Sequence, residues 1–207
     1  MNSNHVYTSD WFVSHQPIWE RIISNLKPEK ILEIGSYEGR SICFAIDHAA
    51  QYKNIEIHCV DTWKGGIEHE RIGIDMQNVE KRFDHNTNLS IIRAKNKVDL
   101  IKHKEMSDVA LPRILSDLGK DYFDMIYIDG SHQAKDVLFD AVLSFKLLKV
   151  SGVLIFDDYL WKENTIGGEN ILRCPKIAID SFCNIFSHEI QILQAPLYQI
   201  YIVKVKD

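Results

Sequence analysis

Short apolar runs alternate with longer segments of helical periodicity along most of the chain. Five of these runs have the length and composition of buried parallel strands. They are predicted at 30–34, 55–60, 98–103, 123–128 and 152–156. Two further strands, at 188–194 and 198–205, flank Ala195 and Pro196 and are predicted to close the chain as an antiparallel hairpin.

Segments between the strands carry apolar residues at three- and four-residue spacing, which predicts amphipathic helices. The predicted helices cover 11–26, 40–50, 75–94, 108–118, 134–148 and 175–186. The third could be interrupted near 86–88. The alternation predicts an α/β fold, with an open, mostly parallel sheet flanked by helices and ending in the hairpin. At 207 residues we expect one domain over 1–207, including an N-terminal helical extension over 1–28.

The sequence from Ile31 to Ser41, ILEIGSYEGRS, predicts a strand, a tight turn and the start of a helix. Gly35 and Gly39 permit positive backbone angles or the close approach of a ligand. A dinucleotide fingerprint needs a further glycine where this chain has Tyr37, which disfavours a pyrophosphate site. The free N–H groups that begin the helix suit a carboxylate. The turn therefore holds a ligand or only reverses the chain.

Polar residues also follow the second and third strands. Asp61 lies 26 positions after Gly35, where a carboxylate can grip a ribose diol in this class of fold. Asp61 could instead cap the turn that precedes the glycines at 65–66. The exit of the third strand, around Met106, is where an adenine ring could lie.

Three carboxylates follow the fourth and fifth strands, at Asp129, Asp157 and Asp158. Ligands of open α/β sheets bind outside the carboxyl ends of the strands. We expect these carboxylates to repel one another unless a cation lies between them, and Mg²⁺ or Ca²⁺ favours such oxygen ligands. A metal there could bind and polarise a substrate hydroxyl. In the alternative, Asp157 and Asp158 only cap a turn.

His132 is the candidate general base, because it lies three residues past Asp129 and its ordinary pKa is near physiological pH. The alternative role for His132 is to help start the next helix. About fifteen residues after Tyr159, rich in Gly, Asn and Glu, are predicted to form a mobile loop over the site. Tyr159 and Trp161 are predicted to form walls for a substrate.

Composition excludes several classes of protein. A net charge of −5 without a basic stripe argues against nucleic acid as a partner. No window approaches the roughly 18 apolar residues of a membrane span, and the polar N-terminus does not resemble a signal peptide, so a cytoplasmic protein is expected. The four cysteines lack the spacing of a zinc site or a disulfide framework. Trp11, Phe12 and Trp19 could cover a sheet edge or a neighbouring subunit of a homo-oligomer.

Five stretches together resemble the class I S-adenosylmethionine (SAM)-dependent methyltransferases, in particular small bacterial O-methyltransferases of the catechol and sugar type. They are Glu33–Gly39, VDTWKGG at 60–66, IDGSH at 128–132, DAVLSFKLLKVSGV at 140–153 and FDDY at 156–159. The resemblance covers about residues 30–160. IDGSH followed by DDY is fairly specific, whereas the glycine motif is generic.

The resemblance implies a Rossmann-like, seven-stranded, mostly parallel sheet that ends in the antiparallel hairpin. It also implies which residues bind SAM. These are Glu33, Gly35, Ser36, Gly39, Ser41, Asp61, Thr62, Met106 and Asp129. It also implies that Asp129, Asp157 and Asp158 hold a divalent cation, with Mg²⁺ expected, and that His132 stands where relatives have a lysine or histidine base. Catechol-type relatives usually have Asn at the position of Asp158, which adds negative charge here.

The sequence therefore predicts SAM-dependent, metal-assisted O-methylation of a hydroxyl on a small molecule or sugar, with His132 and Asp129 as catalytic residues. One alternative is a metal-independent O- or N-methyltransferase in which His132 acts alone. Another is a SAM-binding subunit without turnover, against which the intact Asp129, His132 and Asp157 set argues. An NAD-dependent oxidoreductase is the last alternative, because Tyr37 obstructs the pyrophosphate.

Overall fold

The computed structural model describes residues 4–66, 73–162 and 170–207. Seven strands in these ranges form one mixed sheet, mostly parallel with an antiparallel C-terminal pair, and six α-helices accompany it. This confirms the predicted fold class. The chain divides into two compact units, 1–105 and 106–207, which are described separately below. The expectation of one domain over 1–207 stays a prediction.

The first unit contains three parallel strands in the order β3-β2-β1. Its elements are α1 (Gln16–Leu26), β1 (Lys30–Ile34), α2 (Arg40–Ala49), β2 (Ile55–Val60), α3 (Met76–Arg93) and β3 (Val98–His103). Ile31 of β1 pairs with Ile57 of β2, which pairs with Leu100 of β3. Four of the five residues of β1 are buried, as expected for a parallel strand with no polar face.

The second unit contains four strands in the order β4-β5-β7-β6. Its elements are α4 (Ser107–Leu118), β4 (Phe123–Ile128), α5 (Ala134–Leu147), β5 (Leu148–Phe156), α6 (Lys176–Ile185), β6 (Ile190–Ile192) and β7 (Ile200–Lys204). β4 and β5 are parallel, while β7 is antiparallel to both β5 and β6. Phe145 of α5 packs edge-on against Phe182 of α6, with ring centroids 5.5 Å apart.

Strands β1 to β4 have the predicted bounds, whereas the last three strands differ. β5 begins at Leu148 rather than 152, because Ser151 adopts a positive φ of 68° and lets the chain continue in the sheet with a shifted register. β6 and β7 are shorter than predicted. The N–H of Tyr159 donates to the carbonyl of Tyr198 at 3.1 Å, so residues before β7 pair with the end of β5 instead of with β6.

Two helix predictions are corrected in the first unit. α1 begins at Gln16, after a short 3-10 turn at Val13–His15, rather than at residue 11. α3 is continuous through 86–88, because the Asn86 side chain serves a distant segment: it accepts from Val6 N at 2.7 Å and donates to Val6 O at 2.9 Å.

Within the described ranges, no helix is long and apolar enough to cross a membrane. The predicted mobile loop after Tyr159 falls largely on residues 163–169, which lie outside the described residues.

Candidate active site

The glycine turn after β1 has positive φ angles at three alternate residues. Gly35, Tyr37 and Gly39 have positive φ angles of 85°, 44° and 76°. A Cβ added to Gly39 would lie 3.0 Å from Cδ2 of Phe83, so this position requires glycine for both its conformation and its close packing. The turn delivers the chain into α2 at Arg40.

Asp61, at the end of β2, holds this turn in place. Its Oδ2 accepts from the backbone N–H groups of Ser36 at 2.9 Å and Tyr37 at 3.0 Å, and its Oδ1 accepts from Trp63 N at 2.7 Å. Asp61 therefore caps a turn, as one reading of the sequence expected, but two of the donors come from the glycine turn 24 and 25 residues upstream. Its contact with a ribose stays a prediction.

Glu33 carries a buried carboxylate that its surroundings leave only partly satisfied. The side chain is fully inaccessible, and Ser41 Oγ donates to its Oε1. Its Oε2 and the hydroxyl of Ser36 lack a hydrogen bond of standard geometry within the described residues. Burial raises the pKa of Glu33 to about 7 and the charge of Asp61 adds to the increase, whereas the hydroxyls of Ser36 and Ser41 lower the pKa. This arrangement is suited to a ligand that brings a cationic donor.

Glu38 and Arg40 belong to the same turn and were not singled out from the sequence. Glu38 is buried and accepts from Thr8 N at 2.6 Å, Thr8 Oγ1 at 2.7 Å and Arg82 Nε at 2.5 Å. The Arg40 guanidinium lies over the Tyr7 ring, 4.1 Å from its centroid, and its buried Nε has no partner in the described part of the chain. The only feature of the sequence that could have drawn attention to Glu38 and Arg40 is that both are charged and flank Gly39.

Two other predicted cofactor residues make only local contacts. Thr62 Oγ1 accepts from Lys64 N at 3.1 Å in the turn after β2. Met106 has a 58% exposed side chain, and its carbonyl accepts from Ala110 N at 2.9 Å in the first turn of α4. Their roles toward a cofactor stay predictions.

In the second unit, His132 is oriented by two neighbours from the segment after β5. Its Nε2 lies 2.8 Å from Asp158 Oδ2, and its ring stacks on Trp161 with centroids 3.9 Å apart. Asp158 has a positive φ of 56°, and its carbonyl accepts from Trp161 N at 2.9 Å. A carboxylate partner on one ring nitrogen and a stacked indole fix the direction of the imidazole, which is the arrangement of an oriented general base.

The side chains of Asp129 and Asp157 both contact the hydroxyl of Tyr127, which lies in β4 two residues before Asp129. The Tyr127 hydroxyl lies 3.0 Å from Asp129 Oδ2 and also hydrogen-bonds to Asp157 Oδ2. Gln199 Nε2 donates to the same Asp157 oxygen at 3.0 Å, and Tyr201 donates to Gln199 Oε1 at 2.6 Å. Neither Tyr127 nor Gln199 was picked out from the sequence, since each looks like an ordinary strand residue.

The structure brings His132 to Asp158 and Asp129 to Asp157, and the use of the three carboxylates as metal ligands stays a prediction. Asp158 is paired with the imidazole, while Asp157 is engaged by a phenol and an amide. In the described ranges, no three or more His, Cys, Asp or Glu side chains are grouped so that they could hold a metal ion.

Comparison with known proteins places the chain in a family. Residues 32–159, more than half of its length, match the family described as methyltransferase domain. The chain belongs to this methyltransferase family. The match runs from β1 to the turn after β5 and so contains both the glycine turn and the His132 region.

Two curated relatives of the methyltransferase are named only as uncharacterized proteins. One, from Sinorhizobium fredii, is 26% identical over 160 residues, which are 77% of this chain and 16% of the relative. The other, from Acanthamoeba polyphaga mimivirus, is 27% identical over 153 residues, which are 72% of this chain and 60% of the relative. The chain thus spans less than two thirds of either relative.

Solved structures share the fold of the methyltransferase. The O-methyltransferase TomG from Streptomyces achromogenes, in complex with SAM, has a TM-score of 0.62 at 12% identity, over 93% of this chain and 80% of that one. An O-methyltransferase from Bacillus cereus, in complex with SAH, has a TM-score of 0.56 at 17% identity, over 97% and 83%. These solved structures show the fold, and the family match confirms the predicted methyltransferase.

Proposed function

We propose that the methyltransferase transfers a methyl group from SAM to a hydroxyl of a small molecule or sugar, with His132 as the general base. The observation that carries this proposal is the orientation of the imidazole by Asp158 and Trp161 at the end of β4. A hydroxyl must lose its proton to become a methyl ether, so a positioned base favours oxygen as the nucleophile. The O-methyltransferase fold of the solved neighbours supports the same choice.

The residues around the glycine turn fit SAM. The Oε2 of Glu33 would receive the ammonium of its methionine moiety, with the Ser36 hydroxyl beside it, and the unpartnered Nε of Arg40 would suit the carboxylate. When bound, SAM supplies a methyl group on a positively charged sulfur, and the methyl–sulfur bond breaks as the methyl–oxygen bond forms. The other residues proposed to hold it are Gly35, Gly39, Ser41, Asp61, Thr62, Met106 and Asp129.

His132 and Asp158 account for the proton. The hydroxyl proton passes to Nδ1 of His132, and the Asp158 carboxylate stabilises the imidazolium that forms. Stacking on Trp161 keeps the ring from turning away from the acceptor and tolerates the positive charge. A base positioned in this way contributes roughly 10²–10⁴ in rate. Asp129, whose side chain is exposed, would accept a hydrogen bond from the acceptor or the cofactor.

A divalent metal does not fit the residues at the ends of β4 and β5, and no step is assigned to one. Two of the three carboxylates that would hold it already have protein partners: Asp158 is turned to His132, and Asp157 to Tyr127 and Gln199.

The proposed function is tested by SAH formation from SAM over a panel of hydroxylated sugars and catechols, with the wild type and His132→Ala. We expect His132→Ala to lower turnover by roughly 10²–10⁴, while the dissociation constant of SAH, measured by calorimetry, stays within about twofold. Asp158→Asn should lower turnover less and flatten the pH profile, because Nε2 would then have a neutral partner. The exposed His188 provides the control variant His188→Ala.

Unchanged turnover in His132→Ala would exclude the histidine as the base. Failure of the wild type to bind SAH would exclude the cofactor assignment itself.

A further inference from the structure

Two carboxylates at the ends of neighbouring strands normally repel, and here one phenol lies between them. Tyr127 Oη is 3.0 Å from Asp129 Oδ2 and hydrogen-bonds to Asp157 Oδ2 as well. Tyr127 is 1% exposed, so its hydroxyl proton is withheld from water and is directed at the carboxylates. A phenol has one proton and can donate to one carboxylate at a time.

A second donor comes from β7 and its preceding turn. Gln199 Nε2 donates to Asp157 Oδ2 at 3.0 Å and lies 3.3 Å from Tyr127 Oη. The hydroxyl of Tyr201 donates to Gln199 Oε1 at 2.6 Å, which fixes the amide with its NH₂ group toward Asp157. Gln199 and Tyr201 are each 1% exposed. The direction of the amide is therefore set by buried contacts.

The remaining donors also come from the protein. Asp157 Oδ1 accepts from the backbone N–H of Asp158 at 2.7 Å, so both oxygens of Asp157 have hydrogen-bond partners. The side chain of Asp158 points to His132 Nε2 at 2.8 Å. Each donor contributes partial or full positive charge at the place where the sequence suggested a cation.

We propose that protein donors, chiefly the Tyr127 hydroxyl and the Gln199 amide, take the place of a divalent cation between the carboxylates of Asp129 and Asp157, and that this site binds no divalent metal. The inference concerns metal binding and does not depend on methyl transfer, so its test is read without turnover.

The test is a titration of the full-length, chelator-treated protein with Mn²⁺, with free Mn²⁺ followed by electron paramagnetic resonance, in the absence and presence of SAH. We expect no binding in the micromolar range by the wild type. Thermal unfolding should give the same Tm in EDTA and in Mg²⁺. Micromolar binding of Mn²⁺ by the wild type that is lost in Asp157→Asn would overturn the proposal.

A second arm examines the donors themselves. Tyr127→Phe removes one hydroxyl from a buried charge-assisted contact and should lower Tm by roughly 3–10 °C. The matched control is Tyr198→Phe, because Tyr198 is 65% exposed. The Tm of this variant should stay within about 1 °C of the wild type. Equal Tm values for the wild type and Tyr127→Phe would overturn the role assigned to the phenol.

Discussion

Glu33→Gln separates the cost of burying a carboxylate from its use in binding. Glutamine keeps the size of the side chain and can still accept from Ser41, but it has no charge. Burial raises the pKa of Glu33 from an ordinary 4.5 to about 7. A raised pKa means that the folded state prefers the protonated acid, so its stabilising contribution is present below about pH 4.5 and is lost as the pH rises through about 7.

The size of the effect follows from these two pKa values. Their difference corresponds to about 3 kcal/mol of lost stability above pH 7 for a fully buried group. Ligand-free Glu33→Gln should therefore unfold about 6–12 °C higher than the wild type at about pH 8. The difference should shrink at about pH 5, where Glu33 is protonated in the folded protein.

Binding should change in the opposite direction. Hydrogen bonds to charged groups contribute about 1.5–3 kcal/mol, so loss of the carboxylate should weaken SAH binding by about 10- to 150-fold. Calorimetry with SAH and thermal unfolding at both pH values measure the two effects. The control is Glu20→Gln, which changes an exposed glutamate of α1. Unchanged SAH affinity would refute the assignment of the ammonium to Glu33, and a lower Tm at about pH 8 would refute the burial argument.

Two further predictions concern the first unit. Gly39→Ala should destabilise the protein by about 1–3 kcal/mol more than Gly119→Ala. Both glycines have positive φ, but an added Cβ meets a neighbour, Phe83, only at Gly39. Equal urea midpoints for the two variants would argue against crowding at Gly39. Burial lowers the pKa of His58, whose Nδ1 lies 2.9 Å from His103 Nε2. The folded protein therefore favours the neutral imidazole, and the stability that His58 contributes is present above about pH 6.5 and is lost as the pH falls. The wild type should lose more stability than His58→Gln between about pH 7.5 and about pH 5.5 in urea unfolding, and equal losses would contradict this.

The alternation of apolar runs and helical periodicity was enough to predict the fold class and the bounds of β1 to β4. The local order of strand, turn and helix also predicted that Glu33 lies in β1, that Asp61 follows β2 and that His132 follows β4. These properties can be read from the sequence because strand and helix periodicities, and the need for glycine at positive φ, are properties of neighbouring residues.

The partners of those residues were decided only by tertiary structure. Glu38 binds Thr8 across 30 residues, and Gln199 reaches Tyr127 across 72. The sequence shows three carboxylates after β4 and β5, but it does not show the phenol and the amide packed against Asp157. A local pattern shows which side chains are charged. Only the packing of distant segments decides which donors satisfy a buried charge, because those donors come together only when the chain has folded.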